Sequence, residues 1–237
     1  MLILSLIVGL LCSLIVNYLA DVLPATRRLS RPDWWPVSGD GVREYFLRPR
    51  VLIVITTSLI SAFLIYQFPP TDFPLTLFTS VLMYFLLVAV IDIEHRVVMH
   101  PVSIAGAVIM AGIGVFRGHS LLDSAIGGAV GFGFMLAIYY LGDWLGRLMA
   151  RARNEPWEET ALGFGDVNLA GVIGLLMGWP GVIAALFVGM VAAGLFSAVF
   201  LLIKMFSGKY RAFASIPYAP FLSLGAVATV VAGIYIG

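Results

Sequence analysis

Of the 237 residues, 61% are apolar and 11% charged, less than half the ~25% charged share of an ordinary soluble domain. With a mean hydropathy of +1.01, that composition excludes a water-soluble globule and implies an integral membrane protein. A net charge of +1 with no basic block argues against nucleic acid as a partner.

A helix needs about 20 apolar residues to cross ~30 Å of hydrocarbon. Apolar runs of that order fall at 2–23, 51–67, 75–92, 102–116, 121–146, 162–178, 181–206 and 217–236. None alternates polar and apolar residues as barrel strands do, and lipid requires closed backbone hydrogen bonding. The fold class expected is therefore all-α: a polytopic integral membrane helical bundle of about eight transmembrane helices, forming a single membrane domain over 1–237. The first run has no basic residue ahead of it and no small-residue cleavage pattern, so it reads as a retained span rather than a secretory signal. It contains Cys12, the only cysteine, which excludes an internal disulfide or a cysteine-clustered zinc site. The fourth run is short and either tilts less or lies beside a thinned, water-accessible region. Between the first two runs, 24–50 is too small for its own core. Rich in Arg and Pro and holding Trp34 and Trp35, it reads as an interfacial cytoplasmic loop.

Lysine and arginine are retained on the cytoplasmic side. Eight spans with both termini outside place Arg27, Arg28, Arg31, Arg43, Arg48 and Arg50 on one face, together with Arg96, Arg147, Arg151, Arg153, Lys204, Lys209 and Arg211. Arg117 alone falls opposite. Glycines at four-residue spacing, Gly127 with Gly131, Gly142 with Gly146 and Gly174 with Gly178, read as close helix packing.

Two acids then stand out. Asp92 ends the apolar run Leu75–Ile91, and Asp166 in Gly163-Phe164-Gly165-Asp166 opens another. A carboxylate retained at the rim of a hydrocarbon-buried segment is a functional candidate by default, and the orientation above puts both on the cytoplasmic side. If the bundle brings them together, two like charges in a partly desolvated site cannot both ionise, so they share a proton. One then serves as base and the other as acid, the arrangement with which an aspartic protease activates water against a peptide carbonyl. Gly163 and Gly165 suit a sharp turn and the close approach of a substrate strand. The structural alternatives are a glycine turn whose Asp166 caps the next helix, and an interfacial Asp92 paired with Arg96 or His95. Glu94 reads as a solvated loop acid beside Arg96, with a contact to substrate as the alternative. His95 and His100 lack a third ligand at matching spacing, so no metal is expected. Asp21 and Asp143 end their spans where an acid reaches water and read as structural. No substrate-binding residue stands out.

The stretch Ile91-Asp92-Ile93-Glu94-His95-Arg96-Val97-Val98-Met99-His100-Pro101, then Leu162 through Leu169 around Asp166, then Ile216-Pro217-Tyr218-Ala219-Pro220-Phe221-Leu222 resembles, in order, the type IV prepilin leader peptidase family. These are GxGD-type intramembrane aspartyl proteases. Their pattern has an aspartate before a cytoplasmic loop, GxGD opening a later helix, and I-P-x-x-P-F-L in the last span. Ser13-Leu14-Ile15-Val16-Asn17 looks like the family's first span.

The resemblance implies that Asp92 and Asp166 are the catalytic pair, with Gly163 and Gly165 shaping the second carboxylate's loop. It implies an endopeptidase of the cytoplasmic (inner) membrane, its active site on the cytoplasmic side. Its substrates would be type IV prepilin or pseudopilin precursors of pilus or type II secretion systems, cut to remove a short basic leader. No cofactor is implied for peptide cleavage. A second family activity, N-methylation of the new N-terminus with S-adenosylmethionine, is left open. Residues 24–50 lack the paired C-x-x-C zinc motifs of many bacterial members; Met99 and His100 replace Pro and Asp/Asn, and Asn168 replaces Lys. The competing expectations are a proton- or cation-coupled transporter, which would place acids near mid-bilayer, and an inactive relative serving as an assembly scaffold.

Overall fold

The computed structural model describes residues 2–26, 45–67, 74–153, 162–206 and 217–235. Regular structure among them is helical throughout: α1 (Leu2–Thr26), α2 (Pro49–Gln67), α3 (Leu75–His95), α4 (His100–Phe116), α5 (Leu121–Arg153), α6 (Phe164–Met177), α7 (Gly181–Phe206) and α8 (Ala219–Tyr235). Each coincides with one of the eight apolar runs. Loop residues 27–44, including Trp34 and Trp35, lie outside the described residues, as do Lys209, Arg211 and Ile216.

Five helices are long and apolar enough to cross a bilayer, whereas α4, α6 and α8 have 17, 14 and 17 residues. At 1.5 Å per residue α6 is about 21 Å long, well short of ~30 Å of hydrocarbon. With 33 residues, α5 is about 50 Å long, and its polar last turns need not enter lipid. There Arg147 Nη2 meets Asp143 Oδ2 at 2.8 Å, one turn apart.

The chain forms two compact units, Met1–Ile91 and Asp92–Gly237, the division falling inside α3. In the first, α1 packs on α2. A Cβ on Gly9 would stand 2.8 Å from the Ala62 Cβ, and the Ser5 hydroxyl donates to the Ala62 carbonyl at 2.6 Å. Asp21 near the end of α1 accepts from the Tyr45 hydroxyl at 2.6 Å and pairs with Arg50 Nη2 at 2.7 Å. Burial and the hydrogen bond to Asp21 both hold the Tyr45 phenol above its ordinary titration range.

In the second unit α6 is the hub, packed against α4, α5, α7 and α8. Its sequence is apolar on every side, and the helix is accordingly buried nearly all round, from Val167 through Met177. Small residues let α5 lie directly on it. A Cβ at Gly127 would run into the Gly174 carbonyl oxygen, one at Gly131 into that of Ala170, and one at Gly174 into that of Gly127. The same close approach joins α7 to α8, where a Cβ on Gly225 would fall 2.6 Å from the Gly189 nitrogen. Gly142 corrects the expectation from spacing: a Cβ there meets nothing within 4 Å, so it contributes no close helix contact. Gly178 combines a turn with a close contact: it ends α6 at φ +63°, and its Cα lies 2.8 Å from where a Cβ on Gly127 of α5 would stand.

Candidate active site

Asp92 and Asp166 lie in the same unit. Asp92 sits in the last turn of α3. The helix ends at Arg96, whose φ of +53° breaks the helical path while its N–H still donates to the Asp92 carbonyl at 2.8 Å. That kink sends the chain through Val97 and Val98 to Met99, the extended cap of α4, where Pro101 fits the first turn. Asp166 occupies the first turn of α6, behind the extended cap residue Gly163. Its position, three residues after the cap, is that of a capping-box acid, and the Gly163 backbone N–H serves the carboxylate. Phe164 fixes this end of α6 by meeting the rings of Phe132 and Tyr139 on α5 edge-on, at 6.3 and 5.9 Å.

Both carboxylates are withdrawn from the surface, with 5% exposure at Asp92 and 7% at Asp166. They are close enough for the charge of Asp92 to act on Asp166. The hydrogen-bond partner of Asp92 comes from the far end of the chain: the Ala219 N–H, in the first turn of α8, donates to Asp92 Oδ2 at 3.1 Å in a buried setting. A helix N-terminus with unsatisfied N–H groups is a natural mate for a carboxylate. By contrast, Asp166 Oδ1 is buried and has no hydrogen-bond partner among the described residues. A buried polar atom without a partner is rare in a folded chain and marks a place where a proton, water or ligand belongs.

The two glycines of the motif differ in role. A Cβ on Gly165 would lie 2.6 Å from the Val98 Cβ and 3.1 Å from the Val98 carbonyl oxygen, so glycine here lets the segment after α3 lie against the start of α6. At Gly163 a Cβ would meet only Asp166 Oδ2, at 3.5 Å, and the Gly165 nitrogen, at 3.9 Å. Glu94 and His95 are exposed, 3.9 Å apart. Asp92 forms no ion pair with His95 in that arrangement, although the charge of Arg96 acts on it.

A cavity of about 550 Å³ opens between α4, α5 and α6, lined on α6 by Phe164, Asn168, Gly171 and Leu175. These recur at helical spacing on a face of α6 that does not include Asp166. His100 and Ser103 stand in its wall, and neither acid is among its lining residues. Reading residue types along the chain missed Val98, Tyr218 and Ala219. The last two lie in the Ile216–Leu222 segment, whose position at the start of a span was the available signal.

Several long apolar helices mark a multi-pass membrane protein, and two buried acids at helix ends mark its candidate site. Comparison with known families makes this particular. The model of the type IV leader peptidase family matches residues 77–198, which take in both aspartates and the motif glycines, and the chain belongs to that family. It is a peptidase by family. No curated protein and no solved structure matches it.

Proposed function

We propose that the chain is an aspartyl endopeptidase that removes the short basic leader from type IV prepilin-like precursors at the cytoplasmic face of the inner membrane. The observation that carries this is the convergence of two buried carboxylates, Asp92 from α3 and Asp166 from α6, within electrostatic reach of each other. Two such groups that share one proton supply what amide hydrolysis needs. The ionised one takes a proton from water while the protonated one supports the carbonyl, and the departing amine then receives a proton. Their places in the last turn of α3 and the first turn of α6 favour this over an ion relay, which would want acids along the length of a helix. The precursor's apolar helix stays in lipid while its cationic leader faces the acids from the water side.

The test is cleavage of a prepilin-like precursor by the wild type and by Asp92→Asn and Asp166→Asn in membranes or detergent. Each substitution keeps the shape and removes the base, so each should lower the rate by about 10³-fold or more. Full cleavage by either variant removes that residue from the mechanism. Methyl transfer is a separate proposal: S-adenosylmethionine added to the same assay should raise the product mass by one methyl group if the activity is retained. Loop 24–50, tied to that activity by resemblance, lies from 27 to 44 outside the described residues.

A further inference from the structure

The start of α8 supplies more to the two acids than the Ala219 N–H. The Phe221 and Leu222 N–H groups donate to the Tyr218 carbonyl at 3.1 and 3.3 Å, while the next residue is held on Asp92. The peptide that joins Tyr218 to Ala219 is thus fixed at both its carbonyl and its N–H. Its side chain is half-buried, so part of it remains accessible, and the charge of Asp166 acts on its hydroxyl. The residue beside Tyr218 in the chain is bonded to one acid of the pair, and Oδ1 of the other acid lacks a hydrogen-bond partner among the described residues.

Hydrolysis of an amide builds negative charge on the carbonyl oxygen, and a preset donor aimed at that oxygen accelerates the step. Two carboxyl groups sharing one proton hold a single donor between them, and it is consumed as the reaction proceeds. Resting on the function proposed above, we propose that Tyr218 is a third catalytic residue, its hydroxyl donating a hydrogen bond to the scissile carbonyl oxygen. Water oxygen bonds to the carbonyl carbon as one carboxylate takes its proton. The carbon–nitrogen bond then breaks, the nitrogen leaves as an amine carrying a proton from the dyad, and the carbonyl re-forms as a carboxylic acid. The phenol keeps its own proton throughout. Tyr218 occupies one of the two unspecified positions in the I-P-x-x-P-F-L pattern, so the role belongs to this chain's own residue.

The experiment is steady-state cleavage of a synthetic precursor segment, a Lys-rich leader followed by Gly and an apolar helix, by the wild type and Tyr218→Phe in the same detergent. The expected result is a fall in kcat of about 10²-fold, KM within about twofold, and an unchanged pH profile and melting temperature. An unchanged kcat, or a loss confined to KM, overturns the proposal. So does a shifted pH limb, which would mean that the hydroxyl tunes Asp166 instead of touching substrate. A melting temperature lowered in step with activity assigns Tyr218 to packing and also overturns it. Failure of the underlying reading is distinguishable, because the wild type would then not cleave, or would cleave as well with Asp92→Asn and Asp166→Asn.

Discussion

One methyl group added at Gly165 should disable the site without touching a carboxylate. The Cβ of Gly165→Ala would sit 2.6 Å from the Val98 Cβ, with the Val98 carbonyl oxygen and Cα at 3.1 and 3.2 Å. Carbon atoms settle at about 3.5–4.0 Å, so the segment after α3 and the start of α6 must part by about 1 Å. The obstacle is backbone and a branch-point carbon of a residue 7% exposed, which cannot swing aside as the tip of a long side chain would. Overpacking of this kind costs about 1–3 kcal/mol of stability. Because the two pieces pushed apart carry Asp92 and Asp166, a misplacement of about 1 Å should lower kcat by about 10²-fold. Gly163→Ala is the control: it meets no atom closer than 3.5 Å, its φ of −76° suits any residue, and loss of the N-cap preference for glycine over alanine should cost about 0.5–1 kcal/mol. Precursor cleavage and thermal unfolding in one detergent measure both effects. A Gly165→Ala protein that cleaves within twofold of wild type and melts at the same temperature would refute the reasoning.

Gly174→Ala should destabilise the hub by about 1–3 kcal/mol, since its methyl would run into the Gly127 carbonyl, whereas Gly142→Ala faces open space and should melt as wild type does; equal melting of the two would show that the α5–α6 contact yields. Asp21→Asn breaks a largely buried pair with Arg50, both side chains about 15% exposed, and should lower stability by about 3 kcal/mol. Asp143→Asn loosens an i,i+4 pair whose arginine is 60% exposed and should cost about 0.3–0.5 kcal/mol. Urea unfolding of both variants checks the ranking.

The helices were legible because hydropathy is a local property: each of the eight apolar runs is a helix, whereas the central place of α6 was not legible, since every run is apolar and only packing picks out the hub. Asp92 and Asp166 were legible because a carboxylate at the edge of such a run is costly to keep. Spacing could not separate Gly142 from Gly127. Both begin a four-residue small pair, and only the docking of α5 on α6 decides which faces a neighbour. The Ala219 contact was invisible for a different reason: its donor is a backbone N–H that any residue except proline carries. Nor could residue types along the chain reveal that Gly165 yields to Val98, because the kink at Arg96 that delivers Val98 there depends on a positive φ at a residue other than glycine.

The bond between Asp92 and Ala219 joins positions 127 residues apart in the chain, the later one opening the last helix. Synthesis runs from the N-terminus, so Asp92 is made 127 residues ahead of the N–H that binds it, and Asp166 also precedes that N–H. The buried setting of Asp92 is therefore completed only when the start of α8 has been added, which couples the two ends of the second unit.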